Sequence, residues 1–286
     1  MFLKDMIYSI KSKNNIPPNE IDQYKEKEIQ LPYSNKNFTV VLDLDETLAH
    51  LPRSEDEELG SVKLSFDPDN KDDLTPINIR PFTNEFLKAI SQFSEVILFT
   101  AGMKPYVDVI VNYLDPDKTI FSYIVYRENC IKIPNNKHLI KDIRIFKNRS
   151  MENMFLVDNS IFNFCFSPNN GIPALPFYKD LKDNFLPKLY FYLKELSRSK
   201  SKIELNKNEF KIEEVFKCGI EKFAQFYWDI YVRDYNKIIE SNIENATLEH
   251  MNSKLFIGKP ILSKETQEDL INILKEAKKK YKLINA

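Results

Sequence analysis

Residues 38–48 read FTVVLDLDETL, a short apolar and β-branched run that ends abruptly in acidic residues. The segment from Phe38 to Leu42 is typical of a strand buried on both faces of a parallel sheet, because it lacks the alternation of a half-exposed strand. Two later runs have the same character, VILF at residues 96–99 and MFLV at residues 154–157. The three runs predict the core strands of one sheet.

Helical periodicity accompanies these strands. Apolar residues recur at helical spacing from Thr83 to Phe93, between the first two strands, and again from Pro105 to Leu114, after the second. The stretch from Asp180 to Leu196 predicts a further helix that closes the unit. Strands that alternate with helices predict the α/β class, here a doubly wound parallel, Rossmann-like sheet.

The chain divides into three parts by composition. Residues 1–37 form a mostly polar lead-in, for which we expect a surface position or one short helix. Residues 38–198 form the α/β domain, with an acidic, turn-rich hairpin flap at about 51–79, after the first strand. Residues 199–286 form a lysine-rich extension that is predicted to be helical, with helices at 220–235 and from Ser263 onward. Because of these extra helices, we expect the extension to bind a protein partner.

Charge and composition exclude several classes of protein. The 286 residues carry 41 Lys+Arg and 42 Asp+Glu, and a net charge of −1 argues against direct binding of nucleic acid over the whole surface. The 5 glycines include no G-x-G pair, so nucleotide-cradling loops are excluded. Three widely separated cysteines indicate a reducing compartment. No apolar stretch approaches the roughly 20 residues that span a bilayer, so we expect a nuclear or cytoplasmic protein without a membrane segment.

Polar side chains follow each of the three predicted core strands. Asp43 and Asp45 follow the first strand, Thr100 the second, and Asp158 and Asn159 the third. The carboxyl ends of parallel strands open onto one crevice, so these side chains are expected to converge. Carboxylate and amide oxygens are ligands that suit Mg²⁺, whereas the His and Cys set that zinc prefers is missing from the cluster.

The motif DLDETL at residues 43–48 resembles the first motif of the haloacid dehalogenase superfamily, and in particular its small carboxy-terminal-domain phosphatase branch, the NLI-interacting-factor-like phosphatases. The resemblance covers about Asn37 to Ser197. Further blocks match in order: Arg80-Pro81, LFTA at 98–101, YRENC at 126–130, Lys141-Asp142, VDNS at 157–160 and SPNNGIP at 167–173. Two positions differ, since Gly102 and Asn129 stand where the branch usually has serine.

The resemblance implies a role for each residue of the predicted crevice. It implies that Asp43 is the nucleophile that forms an aspartyl-phosphate and that Asp45 is the general acid and base. The implied Mg²⁺ ligands are the Asp43 carboxylate, the Asp45 backbone carbonyl and Asn159, with Asp158 in support.

The resemblance also implies residues that bind the substrate. Thr100 and Lys141 are expected to bind phosphoryl oxygens, and Arg127 and Tyr106 to line the substrate side. Considered alone, three of these residues also have an interpretation without a role in catalysis. Thr100 could form a turn, Lys141 could form a solvated pair with Asp142, and Arg127 could form a surface ion pair with Glu128.

The implied activity is that of a Mg²⁺-dependent protein serine/threonine phosphatase. The resemblance implies phosphoserine in an extended peptide as the substrate, such as the RNA polymerase II C-terminal tail. The alternative is a non-catalytic or scaffold protein that reuses the fold, in the manner of the mitochondrial translocase receptor, or a subunit of a larger complex.

Overall fold

The structure of the protein is a computed structural model that describes residue 16 and residues 22–54, 62–132 and 139–218. Its strands are β1 (Thr39–Leu42), β2 (Ala49–His50), β3 (Val62–Ser65), β4 (Leu74–Ile79), β5 (Glu95–Phe99), β6 (Phe121–Val125), β7 (Ile131–Lys132), β8 (Leu139–Ile140), β9 (Met154–Asp158) and β10 (Gly171–Pro173). Its α-helices are α1 (Thr83–Ser91), α2 (Lys104–Leu114), α3 (Phe185–Arg198), α4 (Lys202–Phe210) and α5 (Ile212–Cys218). Short 3₁₀ helices span Gln23–Lys27, Arg127–Asn129, Ile143–Ile145, Met151–Asn153, Ile161–Phe164 and Pro168–Asn170.

The core of the molecule is a five-stranded parallel sheet in the order β10-β9-β1-β5-β6. Leu42 of β1 lies opposite Leu98 on one side and Val157 on the other. The whole of β1 is buried, as are β5 and β9. The predicted α/β class is confirmed, and the three apolar runs are the three central strands.

The helices cover the sheet through the apolar faces that their spacing predicts. In α1 the buried residues include Phe86, Leu87 and Ile90, and α1 packs against α3. In α2 the buried residues include Val107 and Ile110. Both helices begin and end within two residues of the predicted bounds.

The third predicted helix begins five residues later than Asp180, at Phe185. The residues before it form a turn because two aspartates bind backbone amides close to them in the chain. Asp180 accepts from the amide of Lys182, and Asp183 accepts from the amide of Phe185. The prediction of a helix from Asp180 is therefore wrong at its start, although its end is within two residues.

The flap is a small antiparallel sheet in the order β2-β4-β3, inserted between β1 and α1. This arrangement agrees with the predicted hairpin at about 51–79. The tip of the flap, residues 55–61, lies outside the described residues.

Segments on both sides of the α/β domain contribute to the same core. In the lead-in, the 3₁₀ helix Gln23–Lys27 is followed by Leu31, which is buried. After α3, Asn206 donates to the backbone oxygens of Asn169 and Gly171, both at 2.9 Å. Phe210 of α4 is also buried in this core. The predicted helices at 220–235 and from Ser263 lie outside the described residues.

None of the helices in the described part of the chain combines the length and the apolar character needed to cross a membrane.

Candidate active site

The centre of the site is a buried lysine between two carboxylates. Asp43 directly follows β1 and Asp158 ends the neighbouring strand β9, and the Asp43 amide donates to the Val157 carbonyl at 3.0 Å. The Lys141 amine donates to Oδ1 of Asp43, and to Oδ2 of Asp158 at 2.7 Å. All three side chains are almost completely buried. The predicted convergence of the strand ends is seen for Asp43 and Asp158, which Lys141 joins. Lys141 itself lies 98 residues from Asp43 in the chain and was implied only by the family resemblance.

Burial and the charge of the ion-pair partner have opposite effects on the pKa values of Asp43 and Lys141. Burial raises the pKa of the Asp43 carboxyl, Lys141 lowers it, and Asp158 raises it again. For Lys141, burial lowers the pKa, but the carboxylates of Asp158 and Asp43 raise it well above its ordinary value. Lys141 therefore keeps its positive charge and opposes the effect of burial on Asp43, although burial dominates and the pKa of Asp43 lies above its ordinary value.

The other oxygen of Asp43 is bound by the loop that follows β1. The Thr47 hydroxyl donates to Oδ2 of Asp43 at 2.9 Å. This loop turns back on itself because the Leu48 and Ala49 amides both donate to the Leu44 carbonyl. The nucleophile expected from the sequence is thus held from two sides, by an ammonium group and by a hydroxyl.

Asp45 lies two residues further along the same loop, and two hydroxyl groups contact its carboxylate. The Tyr106 hydroxyl donates to Oδ1 at 2.7 Å, and the Thr100 hydroxyl lies 3.3 Å from Oδ2. The Thr100 oxygen itself accepts from the Gly102 amide at 2.8 Å. Thr100 is therefore more than a turn former, since it joins the end of β5 to the Asp45 carboxylate.

Tyr106 lies between the flap and the carboxylate cluster. Its ring stacks on Phe66 of the flap, with centroids 5.5 Å apart. Burial raises the pKa of Tyr106, and the charge of Asp45 raises it further. The hydroxyl therefore stays protonated and serves as a donor.

Asn159 meets a residue for which the sequence predicted no role. Its amide nitrogen donates to Oε2 of Glu46 at 3.0 Å. Glu46 has a positive φ of 62° and is half-buried. Burial raises the pKa of the Glu46 carboxyl, whereas His50 and Arg53 lower it.

Arg127 lies at the rim of the site. Its amide donates to the Gly102 carbonyl at 3.2 Å, which places Arg127 beside the loop that carries Thr100. The side chain is exposed, unlike the buried Lys141. The hydrogen bonds therefore join the other seven predicted side chains in three groups, and Arg127 lies at the edge. The groups are Asp43 with Lys141 and Asp158, Asp45 with Thr100 and Tyr106, and Asn159 with Glu46.

Several oxygen atoms that could act as hard metal ligands are gathered at the site. Of the four carboxyl groups of Asp43, Asp45, Glu46 and Asp158, two contact the buried Lys141 amine, those of Asp43 and Asp158. Among the described residues, no three His, Cys, Asp or Glu side chains are placed to hold a metal ion together. The ligands that the family resemblance implies are of three kinds: the Asp43 carboxylate, the Asn159 amide oxygen and the Asp45 backbone carbonyl. Hard oxygen ligands of this kind suit Mg²⁺.

A buried arginine braces the loop that carries Asp43 and Thr47. Arg80 donates to both carboxylate oxygens of Asp183, at 2.9 and 2.8 Å, and to the Thr47 carbonyl at 3.1 Å. It also donates to the Leu175 carbonyl at 2.9 Å. The sequence placed Arg80 in a matching block without a role, because nothing local to it points to Asp183.

A family model and several curated relatives match the segment of the chain that contains the carboxylate cluster. A family model for NLI interacting factor-like phosphatases matches residues 38–204. The chain is 34% identical over 58% of its length to CTD small phosphatase-like protein 2 of Dictyostelium discoideum, of which the match covers 28%. It is 35% identical over 55% of its length to nuclear envelope morphology protein 1 of Schizosaccharomyces pombe, of which the match covers 33%.

The matched segment thus spans a third or less of either relative. Among solved structures, Fcp1, described as an essential RNA polymerase II CTD phosphatase, resembles the chain with a TM-score of 0.47 and 14% identity, covering 68% of each chain. The family match extends over more than half of the present sequence and contains the whole carboxylate cluster. The chain belongs to the family of NLI interacting factor-like phosphatases.

Proposed function

We propose that this chain is a Mg²⁺-dependent protein serine/threonine phosphatase that works through an aspartyl-phosphate on Asp43. The observation that carries the proposal is the position of Asp43, whose carboxylate lies between Lys141 and Thr47. The carboxylate of Asp45, two residues further on, provides a second group for proton transfer. A positioned nucleophile beside a separate acid is the pair that such a reaction needs.

In the first step, an oxygen of Asp43 bonds to phosphorus while the bond from phosphorus to the seryl oxygen breaks. The carboxyl group of Asp45 gives its proton to the departing seryl oxygen. In the second step, the Asp45 carboxylate takes a proton from water, and the water oxygen attacks phosphorus. The bond between phosphorus and Asp43 breaks, which releases phosphate and restores both carboxyl groups.

Lys141 and Thr100 are the proposed ligands of the phosphoryl oxygens. The Lys141 amine carries three protons, and two of them are directed at Asp43 and Asp158. The third is left to meet an oxygen of the transferring group. The Asp43 carboxylate, the Asp45 backbone carbonyl and the Asn159 amide would hold Mg²⁺, which would neutralise charge on the phosphoryl group.

The proposed substrate is phosphoserine in an extended peptide, such as the RNA polymerase II C-terminal tail. The name of one relative supports this proposal, since it is called a CTD small phosphatase-like protein. At the rim, Arg127 and Tyr106 are the proposed contacts to the peptide. We also propose a nuclear location, because another relative is named for the nuclear envelope.

The proposed phosphatase domain is residues 38–198, and the lead-in 1–37 precedes it. The helical extension 199–286 follows the domain, and we propose that it is the surface that binds a protein partner. The first part of the extension packs on the domain, through Asn206 and the buried Phe210.

A panel of phosphoserine peptides, one with the polymerase tail sequence, tests the proposed activity with and without Mg²⁺. We expect phosphate release that needs Mg²⁺, is lost on adding EDTA and is absent in Asp43→Asn. The matched control is Asp117→Asn, an exposed residue in the loop after α2. Binding of the phosphopeptides without any release of phosphate would contradict the proposal and favour the scaffold alternative.

A further inference from the structure

Glu46 joins two loops of the site that the sequence treats as separate motifs. Its Oε2 accepts a 3.0 Å hydrogen bond from Asn159 Nδ2, which links the loop after β1 to the loop after β9. The inference drawn from this contact rests on the proposed function, because it concerns how the site holds Mg²⁺.

The backbone of Glu46 has an unfavourable conformation that its neighbours enforce. A φ of 62° lies in the left-handed region, which is rare for a residue with a Cβ atom. The Glu46 amide donates to the Ala49 carbonyl at 2.6 Å, and its carbonyl accepts from the Phe177 amide at 2.7 Å. These two bonds fix the residue on both sides, and its side chain is directed at Asn159.

The chemistry of the two groups decides which end of the Asn159 amide meets Glu46. An ionised carboxylate only accepts hydrogen bonds, and an amide side chain has one donor end and one acceptor end. Asn159 must therefore present its nitrogen to Glu46, which turns its oxygen away from Glu46. Without this contact, a half-turn of the amide would exchange the oxygen for a nitrogen that cannot bind Mg²⁺.

We propose that Glu46 is a positioning residue that fixes the orientation of the Asn159 amide, so that its oxygen is available to Mg²⁺. Groups that orient a metal ligand in this way commonly change metal affinity by about 10- to 100-fold. Glu46 does not contact the reacting atoms, and its effect passes through Asn159.

Calorimetric titration of the full chain with MgCl₂, without substrate, tests the proposal. In Glu46→Ala we expect the dissociation constant for Mg²⁺ to rise by about 10- to 100-fold. In Glu46→Gln we expect a smaller rise, because the glutamine oxygen still accepts from Asn159. Equal losses in the two variants would overturn the proposal, since they would show that only the charge of Glu46 matters.

A matched control is available in α4, where exposed Glu204 accepts a hydrogen bond from Asn208 at 3.1 Å. Glu204→Gln should leave Mg²⁺ binding unchanged. Thermal unfolding of each variant separates loss of the fold from loss of the ion, and Glu46→Gln keeps the side-chain volume if Glu46→Ala unfolds. Raising Mg²⁺ should recover phosphatase activity in both Glu46 variants.

Two other outcomes are distinguishable. An unchanged dissociation constant in Glu46→Ala, with a wild type that binds Mg²⁺, would overturn this inference and leave the proposed function standing. A wild type that binds no Mg²⁺ would overturn both.

Discussion

The Tyr106 hydroxyl donates a 2.7 Å hydrogen bond to Oδ1 of Asp45, which joins helix α2 directly to the loop that follows β1. The same ring stacks on Phe66 of the flap. The orientation of the proposed acid is thus connected to the inserted sheet as well as to the core sheet. Three separate segments of the chain meet at one carboxylate.

Replacing Tyr106 by phenylalanine tests this connection. The variant keeps the aromatic stack and loses only the hydroxyl, so the fold should persist. A hydrogen bond to a charged group is worth about 1.5–3 kcal/mol, so we expect kcat to fall about tenfold or more. Steady-state kinetics on a phosphopeptide measure the change.

The control for this variant is Tyr113→Phe, in the same helix, where the side chain is 40% exposed. It should behave like the wild type. A rise in KM with an unchanged kcat in Tyr106→Phe would show that the hydroxyl acts only through the proposed contact to the peptide and does not orient Asp45.

Gly102 allows the loop with Thr100 to pack closely on α2. A Cβ atom at this position would lie 2.8 Å from Val107 Cγ2 and 3.2 Å from Tyr106 Cδ1. We expect Gly102→Ser, the residue usual in the branch, to displace Tyr106 and to lower kcat about tenfold through the lost hydrogen bond. The double variant with Val107→Ala should recover much of this loss, because it removes the closest contact.

Kinetics of Gly102→Ser, Val107→Ala and the double variant, measured in parallel, form the test. If the double variant is no more active than Gly102→Ser alone, the Val107 contact does not explain why this chain has glycine.

Removing the charge of Lys141 should destabilise the fold. Lys141→Met leaves the buried carboxylates of Asp43 and Asp158 without the cation that lies between them, and we expect a loss of about 3–5 kcal/mol in the free energy of unfolding. Asp43→Asn should change stability much less, because Lys141 keeps its bond to Asp158. Urea denaturation measures both variants.

The loss in Lys141→Met should depend on pH. Burial raises the pKa of Asp43, and without Lys141 nothing in the ion pair opposes that rise. The folded state then holds a proton that the unfolded state releases, so stability should increase as pH falls from about 8 toward 5. The same stability at both pH values would contradict the arrangement of charges described here.

The Cys130 thiol should resist alkylation in the folded protein. Burial raises its pKa to about 12, and its sulfur lies 3.8 Å from the Thr100 carbonyl. Iodoacetamide reacts with the thiolate, so at about pH 8 we expect modification only after unfolding in urea. Mass spectrometry of native and unfolded samples compares the two.

The raised pKa of Cys130 also determines how the stability of the folded protein changes with pH. Above the ordinary value of 9.0 the unfolded chain releases the thiol proton, whereas the folded chain keeps it up to about pH 12. Stability should therefore fall across this range in the wild type, and less steeply in Cys130→Ala. Equal slopes in the two proteins would show that Cys130 ionises freely.

Much of the fold was predictable because its signals are local. The run from Phe38 to Leu42 and the spacing within α1 each indicate one element, and the strand ends together predict the meeting of Asp43 with Asp158. The start of α3 was missed because Asp180 and Asp183 bind nearby backbone amides in a turn, and Asp183 is also held by Arg80, 103 residues away. A helical pattern carries no information about such a partner.

The contacts within the site were likewise only partly predictable from the sequence. Asp43, Asp45 and Asn159 could be placed from strand ends and from motif resemblance. The bond between Glu46 and Asn159 could not, because it depends on a positive φ and on how two loops meet in space. The role of Thr47 was similarly hidden, since a threonine after two aspartates is equally suited to a turn.

The order of strands has a consequence for synthesis of the chain. β1 leaves the ribosome first but lies at the centre of the sheet, between β5 and β9. Lys141, which neutralises Asp43, is made 98 residues later. A nascent chain that ends before Lys141 therefore carries an apolar strand without its second neighbour and a carboxylate without its cation. Closure of the sheet has to wait until most of the domain has been translated, and the exposed strand needs protection from aggregation during that interval.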